Sequence, residues 1–258
     1  MEVWIRLLGK DLKMMKGWFL GGIAVMIAIN ILGAWIAYET RVGASSFLLS
    51  FVLFIHALYV PVYIWISLSK EWRGTYVYWL QFPQSSWTLL AIKLGSALIS
   101  LCISYVAAFV MFYGINQMDL NSSKSLMNIM TGPDAFDIRG YVDYMNEHFF
   151  SVFSLVLYMN VVFGVWALLF NISIQAVRRR LHRFSGIVMF VIFAFLLWAE
   201  FKFSTTNLYS SVTKWGAFSG DSVWAYLEMN MGELLFDLPI MIVYFFLAGW
   251  LVERKVEV

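Results

Sequence analysis

The chain of 258 residues is 61% hydrophobic and only 13% charged, whereas soluble domains average roughly 25% charged residues. This composition excludes most soluble classes and is typical of a membrane protein. The single cysteine, Cys102, lies inside an apolar run. Neither a disulfide framework nor a cysteine-based metal site is therefore expected.

About six apolar stretches are long enough to cross a bilayer core, which takes about 20 residues per helix. They are predicted at 18–39, 46–68, 87–115, 149–174, 184–201 and 234–252. The sequence thus predicts an all-α membrane protein whose residues 1–258 form a single transmembrane domain.

Residues 1–17 precede the first span and have the pattern of an amphipathic helix. One side holds Val3, Leu7, Leu8, Leu12 and Met15, and the other largely holds Arg6, Lys10, Lys13 and Lys16. Such a helix is expected to lie in the inner membrane interface, with its apolar side in lipid and its lysines toward anionic headgroups. A plain cytosolic leader is the alternative.

The distribution of basic residues predicts that both termini are cytoplasmic, because inner loops concentrate Lys and Arg. With that orientation the inner segments hold most of the basic residues, and the outer segments hold most of the acidic ones. The long segments 116–148 and 202–233 are then outside. The segment 69–86, between spans two and three, is cytoplasmic.

The cytoplasmic segment 69–86 predicts a short helix at the inner membrane face. Gly74 allows a sharp bend, and Thr75 can cap a helix over 76–82. Pro83 then ends this helix, since the residue before a proline disfavours helical geometry.

The residue types of this short helix indicate a contact surface. Its centre, from Tyr78 through Trp79 to Leu80, carries aromatic and apolar side chains of the kind enriched in interface cores. Glu71 and Arg73 are expected to face water before the bend. Glu71 is also expected to bond a basic or backbone donor that sets the angle of the helix.

Motifs for chemistry are mostly missing from the chain. It contains no phosphate-binding glycine loop and no His/Cys cluster at metal spacing, so that we expect neither ATP hydrolysis nor a metal site in this chain. Asn30, His56 and Asn160 lie inside predicted spans and could line a substrate path. Hydrogen bonding between helices is the alternative reading of each.

The stretch from Lys70 to Leu94, KEWRGTYVYWLQFPQSSWTLLAIKL, resembles the segment after the second span in permease subunits of six-span ABC-type exporters. The matching elements are Glu71, Gly74, Thr75, Leu80, Pro83, Ser85 and Lys93. The resemblance extends to the whole chain as architecture, but as a motif it is confined to this stretch. The outer segments 116–148 and 202–233 are long for the class.

The resemblance implies a permease in a bacterial inner or plasma membrane, paired with a separate ATP-binding cassette ATPase subunit. Two copies of this chain, or this chain and a related second permease, would then form the transporter within the lipid bilayer. The short helix after Gly74 would dock in the ATPase, and the turn at 175–183, with Arg178 and Arg179, would make the second contact. ATP and Mg would bind the partner, and this chain would hold no catalytic residue and no cofactor.

Two other functions stay open on the sequence. A non-transporting signalling or immunity subunit would show the same spans, and an intramembrane enzyme would need a partner acid beside His56, which the sequence does not offer. If the chain transports, the expected cargo is an amphiphilic peptide, a drug or a lipid-like molecule. No nucleic-acid partner is expected.

Overall fold

The computed structural model of the protein describes residues 2–40, 51–74, 84–123, 143–144, 146–220 and 223–256. Regular structure in these ranges is helical, apart from an isolated antiparallel bridge between Ala217 and Asn230. The expectation of an all-α protein is therefore confirmed for the described part of the chain.

Eight α-helices are described. They are α1 Glu2–Thr40, α2 Tyr59–Gly74, α3 Ser86–Ser123, α4 Phe149–Leu181, α5 Ser185–Ser204, α6 Asn207–Thr213, α7 Val223–Tyr226 and α8 Met231–Leu251. Short 3-10 turns precede α2 and α5, at His56–Leu58 and His182–Phe184, and a helical stretch at 51–55 comes before the first of these turns.

Six helical segments are long and apolar enough to cross a membrane. They are Val3–Trp35, Phe51–Trp72, Ser86–Gly114, Phe149–Arg178, His182–Ser204 and Met231–Arg254. Large apolar side chains such as Phe190 and Phe195 stay more than 60% exposed along them. Exposed apolar surface on this scale suits lipid as the surrounding solvent, and the predicted six spans are confirmed by length and composition.

The structure does not show a separate interfacial helix at residues 1–17. Instead α1 continues from Glu2 to Thr40, and at 1.5 Å per residue it measures about 58 Å, more than a bilayer core of about 30 Å. Part of its predicted lipid side packs on protein: Met15 is buried, and Leu8 reaches Gly95 of α3. Placement in the membrane interface stays a prediction.

Contacts between the helices define two ends of the bundle. At one end, Trp87 at the start of α3 donates a hydrogen bond to the Phe246 carbonyl of α8, at 3.1 Å. At the other end, Trp224 donates to Ser154 Oγ near the start of α4, at 3.0 Å. We call the end with Trp87 the Lys93 end, because Lys93 lies in the same part of α3, and the end with Trp224 the Tyr209 end. The Lys93 end is the one predicted to be cytoplasmic.

Candidate functional site

Half of the predicted coupling residues lie outside the described residues. They are Thr75, Tyr78, Trp79, Leu80 and Pro83, and their predicted roles stay predictions. The structure does describe the helix end before the segment 75–83 and the helix start after it.

The coupling segment is bounded by α2 and α3. Arg73 and Gly74 are the last two residues of α2, so that the helix reaches the residue at which the bend is predicted. On the other side, α3 begins at Ser86, and the Thr88 backbone N–H donates to Ser85 Oγ at 3.4 Å, which caps the new helix.

The second predicted contact region lies at the end of α4. Arg178 is exposed there, and Arg179 is part of the same helix. The sequence predicts a turn at 175–183 after a span that ends at 174, whereas the structure continues α4 to Leu181, so that both arginines belong to the helix.

Glu71 does not face water, contrary to the sequence-based expectation. Its side chain is buried, and its Oε1 atom lies 3.0 Å from Lys93 Nζ. The last turn of α2 carries Glu71 toward α3, and a carboxylate removed from water needs a counter-charge or hydrogen-bond donors. The basic donor expected for Glu71 is therefore Lys93, from the far side of the coupling segment.

Asp11 of α1 is the third member of this group. Lys93 Nζ also contacts Asp11 Oδ1, and the hydroxyls of Ser67 and Tyr63 each donate to Asp11 at 3.2 Å. Ser96 donates to the same carboxylate. We call Asp11, Glu71 and Lys93 the ionic cluster.

Sequence reasoning missed Asp11, although its position carried a signal. Asp11 lies three residues after Leu8 and four before Met15, which places it on the side of α1 predicted to be apolar. An acid on an apolar helix side needs a partner elsewhere in the fold. The sequence alone did not say that the partner would be Lys93.

The ionic cluster fixes the relative positions of three helices, but it is not expected to add much to the free energy of unfolding. Burying charges costs several kcal/mol per ion, and the attraction between them repays this only with good geometry and further hydrogen bonds. Here the cluster joins α1, α2 and α3 through directional contacts. Two carboxylates share one ammonium, and among the described residues Glu71 Oε2 has no hydrogen-bond partner.

Asn160 bridges a point in the second membrane-spanning segment where the backbone hydrogen bonds of the helix are interrupted. Pro61 has no N–H and its ring crowds the carbonyl four residues earlier, which explains the 3-10 turn just before α2. Asn160 Oδ1 accepts from the Val60 backbone N–H at 2.8 Å, and Asn160 Nδ2 donates to the His56 carbonyl at 2.7 Å. The amide thus takes the place of one hydrogen bond of the helix.

Of the three candidate path residues, the structure brings together His56 and Asn160 but not Asn30. The His56 ring lies 2.7 Å from the Val52 carbonyl and 2.9 Å from Ser104 Oγ. Asn30 donates to the Met26 carbonyl of its own helix. These contacts are the hydrogen bonding within and between helices that the sequence left as the alternative, and none of them joins His56 to an acid.

Comparisons with known proteins do not place the chain in a family: no family model, no curated protein and no solved structure matches it.

Proposed function

We propose that this chain is the membrane-spanning permease subunit of an ATP-driven exporter and works with a separate ATP-binding cassette subunit. The observation that carries the proposal is the contact between Glu71 and Lys93. Both residues belong to the stretch that resembles exporter permeases, and they flank residues 75–83, which contain the predicted coupling helix.

The ionic cluster supports coupling for a mechanical reason. A displacement of segment 75–83 would reach the bundle through the end of α2 and the start of α3. Because Glu71 and Lys93 bond each other there and Lys93 also bonds Asp11, the two helices and α1 would move together. In a low-dielectric setting such contacts resist separation more strongly than exposed ion pairs do.

The proposed cycle assigns ATP binding and hydrolysis, with Mg, to the partner. This chain would supply the docking helix centred on Trp79, a second contact at Arg178, and the membrane path for cargo. Two permeases, identical or related, would enclose that path. The cargo class is an amphiphilic peptide, drug or lipid-like molecule.

A crosslinking experiment tests the docking helix. A photoreactive amino acid at position 79 should crosslink a co-expressed ATP-binding cassette subunit, whereas the same group at the exposed Ser219 should not. ATP hydrolysis by the reconstituted complex should exceed that of the ATPase subunit alone. The absence of a crosslink at position 79 together with unchanged hydrolysis would contradict the proposal.

Variants of the ionic cluster test the coupling itself. Glu71→Lys puts two ammonium groups in the buried site and should abolish stimulated hydrolysis while the protein remains in the membrane. Lys13→Glu, also a charge reversal but on the exposed side of α1, should retain it. Equal stimulation in both variants would remove the mechanical role of the cluster.

The proposed orientation places the Lys93 end in the cytoplasm. A cysteine at Ser219 should then react with an impermeant thiol reagent added to intact cells, and a cysteine at Arg178 should react only after lysis. Labelling is scored in a background where Cys102 is replaced by Ser. The reverse pattern would overturn the orientation.

A further inference from the structure

A second group of acidic residues lies at the Tyr209 end, where α5, α6 and α8 line a cavity of about 220 Å³. Glu200 from α5 and Asp237 from α8 line it, together with aromatic side chains. Neither acid has a role in the coupling contacts described above. The cavity exceeds what one water molecule needs but is smaller than the roughly 300–1,000 Å³ of drug-sized sites.

The two carboxylates face the cavity without a counter-charge. Glu200 makes no hydrogen bond or ion pair within the described ranges, and the cavity lining contains no Lys or Arg. Asp237 accepts a hydrogen bond from Tyr158 through Oδ2 only. Nearby basic side chains, Lys202 and Lys214, are exposed outside the lining.

Another acidic residue of α8 already has hydrogen-bond partners. Glu233 accepts from the Asn230 backbone N–H at 3.3 Å in the capping box that begins α8. Burial raises the pKa of Tyr209, and the negative charges of Asp237 and Glu233 raise it further. The cavity is thus an acidic site that its own residues leave unbalanced.

Aromatic rings form the rest of the wall. The Tyr209 ring stands edge-on to Phe236, with centroids 5.3 Å apart, and to Phe203, at 5.8 Å. The rings of Phe203 and Phe236 are nearly parallel at 6.2 Å. Ring faces attract organic cations, and a wall of this kind also accepts the apolar groups that such cations carry.

The local sequence explains why Tyr209 lies in this wall. Thr206 Oγ1 accepts from the Tyr209 backbone N–H at 3.3 Å and so begins α6 immediately after α5. Gly232 in the first turn of α8 allows the Thr213 carbonyl to approach closely, because a Cβ atom there would lie 2.2 Å from that oxygen. Together these contacts hold α6 against α8.

We propose that this cavity is a binding site for an organic cation of the alkylammonium class. The ammonium group binds between Glu200 and Asp237, and its alkyl groups contact Tyr209 and Phe236. A metal ion fits less well, since the described residues contain no group of three or more His, Cys, Asp or Glu side chains that could hold one. The role of this ligand as cargo rests on the proposed function; the site itself does not.

Binding is tested on the purified full chain in dodecyl maltoside, a detergent without ammonium groups, with no ATPase subunit present. Equilibrium dialysis with radiolabelled tetraethylammonium should show saturable binding of one cation per chain, displaced by dodecyltrimethylammonium. Unlabelled tetraethylammonium should displace the label as well, because it is the same cation, and retention of the label in its presence would mean that the binding is not saturable.

Paired variants separate the site from general attraction to an acidic protein. Glu200→Gln should weaken binding about tenfold, because an ionic contact is replaced by a neutral one. Phe236→Leu should weaken it about twofold to fivefold. Glu228→Gln removes an exposed acid of the same end, outside the cavity, and should leave the affinity unchanged.

Either of two results would overturn the site. The first is the absence of saturable binding to the folded wild-type chain. The second is equal binding by the wild type and the Glu200→Gln/Asp237→Asn double variant, with folding of each checked by circular dichroism and size exclusion. Because no ATPase subunit takes part, these results leave the permease proposal standing, and failure of that proposal leaves the binding result standing.

Discussion

Two acidic groups lie at opposite ends of the bundle and differ in what faces them. At the Lys93 end, Asp11 and Glu71 share the ammonium of Lys93 and several hydroxyls. At the Tyr209 end, Glu200 and Asp237 face a cavity with aromatic walls and no basic lining residue. Ionisable groups with an internal counter-charge join helices, whereas groups without one leave room for a ligand.

The largest expected effect comes from removing the counter-charge at the Lys93 end. Lys93→Met leaves Asp11 and Glu71 as unpaired buried carboxylates and should lower the free energy of unfolding by about 3–5 kcal/mol. The measurement is reversible unfolding by SDS titration in mixed micelles. Lys13→Met, an exposed position on α1, is the matched control and should change the free energy by less than about 0.5 kcal/mol.

A compensated variant sharpens this prediction. Adding Asp11→Asn and Glu71→Gln to Lys93→Met removes the uncompensated charges and should recover part of the loss. If the triple variant is no more stable than Lys93→Met, lost packing explains the effect better than charge.

The next effect lies between the two ends, at the break in the second span. Asn160→Ala leaves the buried Val60 N–H without its acceptor and should lower the free energy of unfolding by about 1–3 kcal/mol. Asn171→Ala is the matched control: Asn171 is also a buried amide on α4, but its Oδ1 has no hydrogen-bond partner among the described residues. A loss as large for Asn171 as for Asn160 would contradict the bridging role.

A third variant disturbs only the Tyr209 end. Gly232→Ala forces a Cβ atom onto the Thr213 carbonyl and should cost about 1–3 kcal/mol of unfolding free energy by overpacking. The same displacement of α6 should weaken tetraethylammonium binding. Gly186→Ala in α5, where a Cβ atom would meet nothing within 4 Å, should leave both stability and binding unchanged. Unchanged binding in Gly232→Ala would separate the cavity from the α6 contact.

The smallest effect has the opposite sign. Glu200→Gln removes a half-buried charge that has no counter-charge among the described residues, and should raise the free energy of unfolding by up to about 1 kcal/mol while weakening cation binding. Glu228→Gln, an exposed control, should change neither quantity. A marked loss of stability in Glu200→Gln would mean that Glu200 has a structural partner, and the contrast between the two ends would weaken.

Much of the fold could be predicted from one-dimensional pattern. Hydropathy runs such as 87–115 and 149–174 are long enough to span a bilayer, and backbone groups in lipid must bond within a helix, which leaves one choice of structure. Helix starts were also predictable where a side chain caps its own neighbours, as at Ser85.

Pairings between distant residues could not be predicted in the same way. The amphipathic pattern of residues 1–17 is compatible with a lipid surface and with another helix, and only the packing of α1 on α3 decides between them for Met15 and Leu8. Glu71 was expected in water because it borders a polar segment. Its burial depends on which way the last turn of α2 faces.

By itself the sequence determined the helices, the apolar surface that lipid covers and the charged segment that separates spans two and three. Tertiary structure alone decided that Asp11 meets Lys93 and that Glu200 shares a cavity with Asp237. The physical reason is the distance along the chain over which each interaction acts. Hydropathy and capping act within a few residues along the chain, whereas charge pairs and cavities join residues 82 and 37 positions apart, whose contact depends on how whole helices pack.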